Sequence, residues 1–242
     1  GYGVKEDKKK AYEYYEFVEN QNFVSKPLKK LGELYEDGID AERNYEKSFK
    51  FYLLSSQKND DEGLLKVGDF YYYGYYVVKD YMRALKFYEL ASKQDNSEAF
   101  RKIGKLYYHG YGVEKDYSKA KYYYELSCKL TNAEAYIKLG DLYANGLGVQ
   151  QNYLMAKKYY EVASQLLHSY SFLKIGKLYE KGLGVQQNYL LAKQFYEYAD
   201  QLDNSEAQFY LGNFHSSGEF FPVDIQKAMK YYKKCAETVE IK

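Results

Sequence analysis

Apolar positions in this chain recur at helical spacing, and the pattern restarts at a fixed interval. Between residues 97 and 109 the segment SEAFRKIGKLYYH sets Phe100, Ile103, Gly104 and Tyr107 on one stripe, as an amphipathic helix requires. The segment GYGVEK interrupts the stripe, and glycines so closely spaced end a helix and permit a left-handed turn. Asp116 then opens a second stripe through Ala120, Tyr123, Tyr124 and Ser127. Polar residues such as KQDNSE lead into the next unit. The predicted module is helix A, glycine loop, helix B and a polar return.

The interval is 36 residues. An apolar–Gly pair marks it at Leu31-Gly32, Val67-Gly68, Ile103-Gly104, Leu139-Gly140, Ile175-Gly176 and Leu211-Gly212, without insertion or deletion. A second glycine keeps step at Gly38, Gly74, Gly110, Gly146, Gly182 and Gly218. So do a tyrosine at 45, 81, 117, 153 and 189 and a small residue at Ser48, Ala84, Ala120, Ala156, Ala192 and Ala228. Only Asp or Asn stands at 44, 80, 116, 152, 188 and 224, which predicts an N-cap for each helix B. Glycine inside helix A costs roughly 1 kcal/mol in propensity against alanine. Its presence in every copy predicts a backbone approach too close for a side chain. The stretches GLGVQQNYLMAKKYYE and GLGVQQNYLLAKQFYE, starting at Gly146 and Gly182, agree at 13 of 16 positions, as duplicated units would.

These residues resemble the Sel1-like repeat, a relative of the tetratricopeptide repeat, in IGKLYYHGYGVEKDYSKAKYYYE from Ile103 and LGDLYANGLGVQQNYLMAKKYYE from Leu139. Three loops depart from the pattern: DGIDAERN and SGEFFPVD lack the second loop glycine, and Tyr-Tyr at Tyr75 replaces it. The resemblance implies an all-α fold, a right-handed α/α superhelical solenoid of 36-residue helix-loop-helix repeats. Residues 1–24 read as a partial repeat with helix B alone, followed by full repeats at 25–60, 61–96, 97–132, 133–168, 169–204 and 205–242, thirteen helices in a single solenoid. The opening GYGVKEDKKKAYEYYE lacks a helix A and neither end shows a cap, so the chain reads as a segment of a longer protein or a form without its leader.

Composition narrows the function. Thirty-five Lys and Arg against thirty-four Asp and Glu leave no field to steer nucleic acid. No apolar run approaches the ~20 residues of a membrane helix. His109, His168 and His215 fall at different repeat phases, so no metal spacing arises. His215 occupies the place of Tyr107 and Tyr179, as a core substitute would. GYGV and GLGV lack both the preceding strand and the following Gly-Lys of a phosphate loop. No cofactor is expected. One branch of the resembled family staples each repeat with a cysteine pair and is linked with β-lactam hydrolysis; here Cys128 and Cys235 stand alone, and the spacing disfavours a mutual disulfide. Compartment stays open.

What remains is shape. By analogy with tetratricopeptide repeats, helices A line a concave face. The rows that vary there are Lys29, Leu65, Arg101, Ile137, Leu173, Phe209; Glu33, Asp69, Lys105, Asp141, Lys177, Asn213; and Glu36, Tyr72, Tyr108, Ala144, Glu180, Ser216. Leu65, Tyr72, Tyr73 and Tyr108 predict one apolar-aromatic stretch, Leu173 and Phe209 another. The expected partner-binding residues are Leu65, Asp69, Tyr72, Tyr73, Arg101, Lys105, Tyr108 and His109, with Ile137, Asp141, Leu173, Lys177 and Phe209. The expected function is a non-enzymatic, monomeric scaffold or adaptor that binds a protein or peptide. The alternatives are an immunity or host-interaction protein that binds one toxin or enzyme and, more remotely, a β-lactam hydrolase. An equally open reading has these side chains simply filling the inside of a tight superhelix.

Overall fold

A computed structural model describes residues 25–38 and 43–240. Every element among them is an α-helix, and there are twelve. The helices A are α1 (Ser25–Asp37), α3 (Asp61–Tyr73), α5 (Ser97–His109), α7 (Ala133–Asn145), α9 (Ser169–Lys181) and α11 (Ser205–Ser217). The helices B are α2 (Tyr45–Gln57), α4 (Tyr81–Ser92), α6 (Tyr117–Lys129), α8 (Tyr153–Gln165), α10 (Tyr189–Gln201) and α12 (Ile225–Glu240). The expected first helix B falls in residues 1–24, outside the described residues. The chain divides into two compact units, 1–130 with α1–α6 and 131–242 with α7–α12. Inside each unit every helix A packs on its own helix B, and that helix B on the next helix A.

The ends obey the expected capping chemistry. Asn44, Asp80, Asp116, Asn152 and Asn188 each accept from the backbone N–H three residues on. Five helices A stop at a glycine in the left-handed region: Gly74, Gly110, Gly146, Gly182 and Gly218. Helices A carry caps of their own at Asp60, Asn96, Asn132 and Asn204. At the same position α9 has His168, whose side chain makes no capping bond.

Two pairings repeat inside each module. A tyrosine on helix B lies across the mid-helix glycine twenty positions earlier, so that an added Cβ at Gly32, Gly68, Gly104, Gly140, Gly176 or Gly212 would meet ring carbons of Tyr52, Tyr88, Tyr124, Tyr160, Tyr196 or Tyr232 at 2.3–2.7 Å. Five of these rings (Tyr52, Tyr88, Tyr124, Tyr160 and Tyr196) are almost fully buried. The reason for glycine is thus a tyrosine ring lying directly on the helix backbone, with a backbone carbonyl close as well at Gly104 and Gly176. The second pairing is an aromatic stack with an offset of sixteen. It joins Tyr35–Phe51, Tyr71–Phe87, Tyr107–Tyr123, Tyr143–Tyr159, Tyr179–Phe195 and His215–Tyr231, with centroids 5.5–5.8 Å apart and planes within 23°. His215 is buried in the tyrosine's place, as the sequence indicates.

Candidate functional site

The expected binding rows do not all reach the surface. Ile137 and Leu173 are fully buried, the first among Ile175 and Leu178, the second among Leu211 and Phe214. Arg101 is also buried, its guanidinium held by Glu98 of its own helix. The register of helix A turns Ile137 and Leu173 toward the following repeat, and with Arg101 buried as well this corrects the reading of that row as a surface ladder. Leu65 is half-buried beside Leu64, Ala91 and Ala99. Lys29 pairs with Glu62. Phe209 is 48% exposed, and without Leu173 no second apolar stretch exists.

The next two rows serve the core tyrosines. Tyr88 Oη donates to Asp69 at 2.7 Å, and Lys102 Nζ from the next repeat lies 2.8 Å from the same oxygen. Tyr160 and Lys174 treat Asp141 alike, both at 2.8 Å. Tyr232 donates to Asn213 at 2.8 Å. Where the residue after the glycine is Glu33 or Lys177, the acceptor moves one turn on: Tyr52 donates to Glu36 at 2.7 Å and Tyr196 to Glu180. Burial, and then the neighbouring carboxylate, raises the pKa of Tyr52, Tyr88, Tyr160 and Tyr196. Lys177 is engaged by Glu206 and lies over the Tyr210 ring. These polar groups hold repeats to one another.

The aromatic end is different. Rings follow one another in unit 1 from Tyr45 to Tyr75 (5.0 Å), Tyr73 (5.2 Å), Tyr72 (4.8 Å), Tyr81 (5.3 Å), Tyr111 (4.9 Å), His109 (4.9 Å), Tyr108 (4.9 Å) and Tyr117 (5.3 Å). Four of the expected residues, Tyr72, Tyr73, Tyr108 and His109, stand in this band at the C-terminal ends of α3 and α5. Lys105 joins them with Nζ 5.0 Å from the Tyr72 ring centre. The loops and the first residues of helices B supply the rest. The second loop glycine explains the packing: Gly112 lies against Tyr81, where an added Cβ would come 2.7 Å from the tyrosine Cβ.

One repeat earlier that glycine position holds Tyr76, at φ 62° and 57% exposed. A bulky residue in the left-handed region is a backbone outlier that costs stability. Tyr73 is 44% exposed and His109 is also exposed. Burial, then the adjacent Tyr73, Tyr111 and Tyr81, pushes Tyr72 up to about 12. Sequence reasoning missed Tyr45, Tyr81 and Tyr117, which read only as repeat-fixed positions, missed Tyr111 in the glycine loop, and took Tyr75 and Tyr76 for a lost glycine.

Elsewhere, a cavity of about 420 Å³ opens at the N-terminal ends of α3 and α5, where Leu65 lies among acidic residues together with Lys29 and Lys66. Another of about 490 Å³ lies beside His215. No cluster of three or more His, Cys, Asp or Glu suited to a metal occurs among the described residues. Nor is any described helix long and apolar enough to cross a membrane. Neither Cys128 nor Cys235 forms a disulfide among the described residues, and burial pushes the Cys128 thiol up to about 12.

Helical hairpins locked by the same residues at the same offsets define a tandem-repeat solenoid. The Sel1 repeat matches residues 1–17, 28–60, 61–96, 97–132, 133–166, 173–202 and 205–237, and the chain belongs to that family. A Sel1 repeat protein from Oxalobacter formigenes is similar in structure, with TM-score 0.85 and 26% identity over 94% of each chain. The protective antigen c5321 of uropathogenic Escherichia coli gives TM-score 0.76 and 25% identity, over 93% of this chain and 48% of that one. Immunity protein Pa5087 from Pseudomonas aeruginosa shares the fold at TM-score 0.65 and 19% identity, over 91% of this chain and 85% of that one. No curated protein matches the sequence. Sel1 repeats typically form protein-interaction scaffolds and are generally non-catalytic.

Proposed function

We propose that this chain is a binding scaffold that grips a peptide segment of a partner protein along the aromatic band of unit 1. The observation that carries the reading is Tyr76: a large exposed ring is kept at a left-handed position where the next repeat has Gly112. Strain of this kind, of order 1 kcal/mol or more, concentrates at functional sites. The Tyr76 ring centre lies 6.0 Å from that of Phe49, and its chain neighbour Tyr75 belongs to the band, whose tyrosines supply flat, rigid, amphipathic area of the sort that anchors interfaces. The band lies at the loop ends of helices A and includes Tyr72, Tyr73, Tyr108, His109 and Lys105; Asp69 belongs to the scaffold beneath it. The test is capture of partners by the intact chain and by a Tyr73→Ser/Tyr76→Gly variant. A partner lost by the variant at unchanged helix content supports the reading, and one retained at full strength refutes it.

A second reading is an immunity-type inhibitor of one toxin or enzyme, supported by the fold shared with the Pseudomonas immunity protein. It predicts a single captured partner at fixed stoichiometry whose activity is blocked in the complex. Several partners, or an unblocked one, would dismiss it.

A further inference from the structure

The residue before the N-cap of each helix B separates the two units. In unit 1 it is Arg43, Lys79 and Lys115, all exposed. In unit 2 it is Gln151, Gln187 and Val223. The loop fixes this position geometrically. An added Cβ on Gly74 or Gly110 would lie 3.1 Å from the Cβ of Lys79 or Lys115. Gln151 Nε2 donates to the Ala144 carbonyl at 2.8 Å and to Tyr153 Oη at 3.0 Å. Gln187 does the same with Glu180 (2.9 Å) and Tyr189 (2.7 Å). Glutamine is thus the residue that ties this loop together, and unit 1 gives up those bonds for positive charge.

Each cation stands two residues before a tyrosine of the band. Arg43 Cζ lies 5.8 Å from the Tyr45 ring centre and Lys79 Nζ 5.9 Å from that of Tyr81. Glu42 directly precedes Arg43 and offsets part of the charge there. Beside the other two cations, Asp80 accepts from Arg83 N and pairs with its guanidinium, and Asp116 accepts from Lys119 N and pairs with its ammonium group. Glu114, in the α5–α6 loop, is exposed and offsets part of the charge. The band is therefore edged by cations at repeat spacing, within a chain whose net charge is only +1.

We infer that the occupant of the band is an extended acidic segment of a partner protein, rich in proline or aromatic residues. Its carboxylates meet Arg43, Lys79 and Lys115, and its flat side chains stack among Tyr73, Tyr75 and Tyr111. This rests on the peptide-binding reading above and adds the chemistry of the ligand. Successive helices B are separated by a helix A, so the cations stand at least the roughly 8–10 Å of directly packed helices apart. An extended chain advances about 3.3 Å per residue, so acids at multiples of about three residues suit the row. A single-stranded nucleic acid is disfavoured, because binding along a phosphate backbone asks for a denser basic track than one cation per repeat.

The test is fluorescence anisotropy of the whole chain with labelled dodecapeptides repeating Glu-Pro-Tyr, Gln-Pro-Tyr or Lys-Pro-Tyr, and with oligodeoxythymidine. The variant is Arg43→Gln/Lys79→Gln/Lys115→Gln, which installs the residue that Gln151 and Gln187 show this loop accommodates. The acidic peptide should bind about tenfold or more tighter than the glutamine peptide, and the preference should shrink as salt rises from about 50 to about 300 mM. The triple variant should erase it. Equal binding of the three peptides, lost in the Tyr73→Ser/Tyr76→Gly variant, would overturn the acidic ligand and leave the band a peptide site. Binding of no peptide overturns the inference; if partner capture also ignores the band substitutions, the peptide-binding reading falls with it. Tighter binding of the oligonucleotide, lost in the triple variant, would reassign the row to nucleic acid.

Discussion

Tyr160 lies across Gly140 so closely that a β-carbon at position 140 would sit 2.3 Å from its Cε1. The ring cannot retreat, because it is buried and its hydroxyl is held by Asp141. Gly140→Ala gains about 1 kcal/mol of helix propensity but overpacks a filled site at a cost of about 1–3 kcal/mol. The variant should unfold at lower urea concentration than the parent, and Gly140→Leu at lower still. A stabilised alanine variant would show that propensity, not the ring, decides this position.

Asp69 answers to two donors, Tyr88 and Lys102. Asp69→Ala strands a buried hydroxyl and a mostly buried ammonium group, and should cost about 2–3 kcal/mol. Asp69→Asn keeps an acceptor for the tyrosine, as Asn213 does for Tyr232, and should cost less. Equal losses in urea midpoint would assign the stabilisation to the ion pair alone.

Alkali should melt the array. Tyr72 is pushed up to about 12, and Tyr52, Tyr88, Tyr160 and Tyr196 are raised as well. An unfolded tyrosine titrates near 10. Above about pH 10 the unfolded chain releases protons that the folded chain retains, so the stability these groups contribute below that pH is lost as pH climbs. The late fraction of tyrosinate absorbance should therefore rise together with loss of the far-UV helical signal. Full tyrosinate absorbance with the helices intact would contradict the burial of these rings.

His168 is a defect in a row of caps. Asn132 and Asn204, at the same position in neighbouring repeats, accept from Ala135 N and Ala207 N at 3.0 and 2.9 Å. The His168 Nδ1 is buried without a partner among the described residues. His168→Asn should stabilise unit 2 by about 0.5–1 kcal/mol. Burial lowers the pKa of His168, so stability present above the unfolded value near 6.5 is lost on acidification. The asparagine should help more at pH 5 than at pH 8, and identical midpoints at both would show that the ring pays no desolvation cost.

The repeat period, the helix pairs and the helix-B caps were legible because backbone geometry forces one residue type at each of those places. The rows around the mid-helix glycine were misread, because variation looked like freedom from structural duty. Asp69 and Asp141 can hold a tyrosine hydroxyl from one turn, Glu36 and Glu180 from the next. Two solutions to one requirement resemble none. The compensation was visible, since Glu36 and Glu180 follow Glu33 and Lys177, which do not take that role. Burial of Arg101 was not visible, because Lys29 and Leu65 at the same repeat position are only half-buried. Tyr72, Tyr73, Tyr108 and His109 of the band were anticipated, while Tyr45, Tyr75, Tyr81, Tyr111 and Tyr117 were not, because they begin helices or lie in loops, off any apolar stripe.

Because the glycine and its tyrosine are always twenty positions apart, both halves of each lock lie inside one 36-residue cassette. Recombination that copies or excises whole cassettes hands on finished locks. A crossover between position 140 and position 160 would instead join a glycine to whatever ring the donor supplies, and it survives only because every donor supplies tyrosine. Shared parts of this kind let breakpoints fall anywhere in the cassette, and the near-identical stretches from Gly146 and Gly182 show how closely two neighbours can come to being interchangeable.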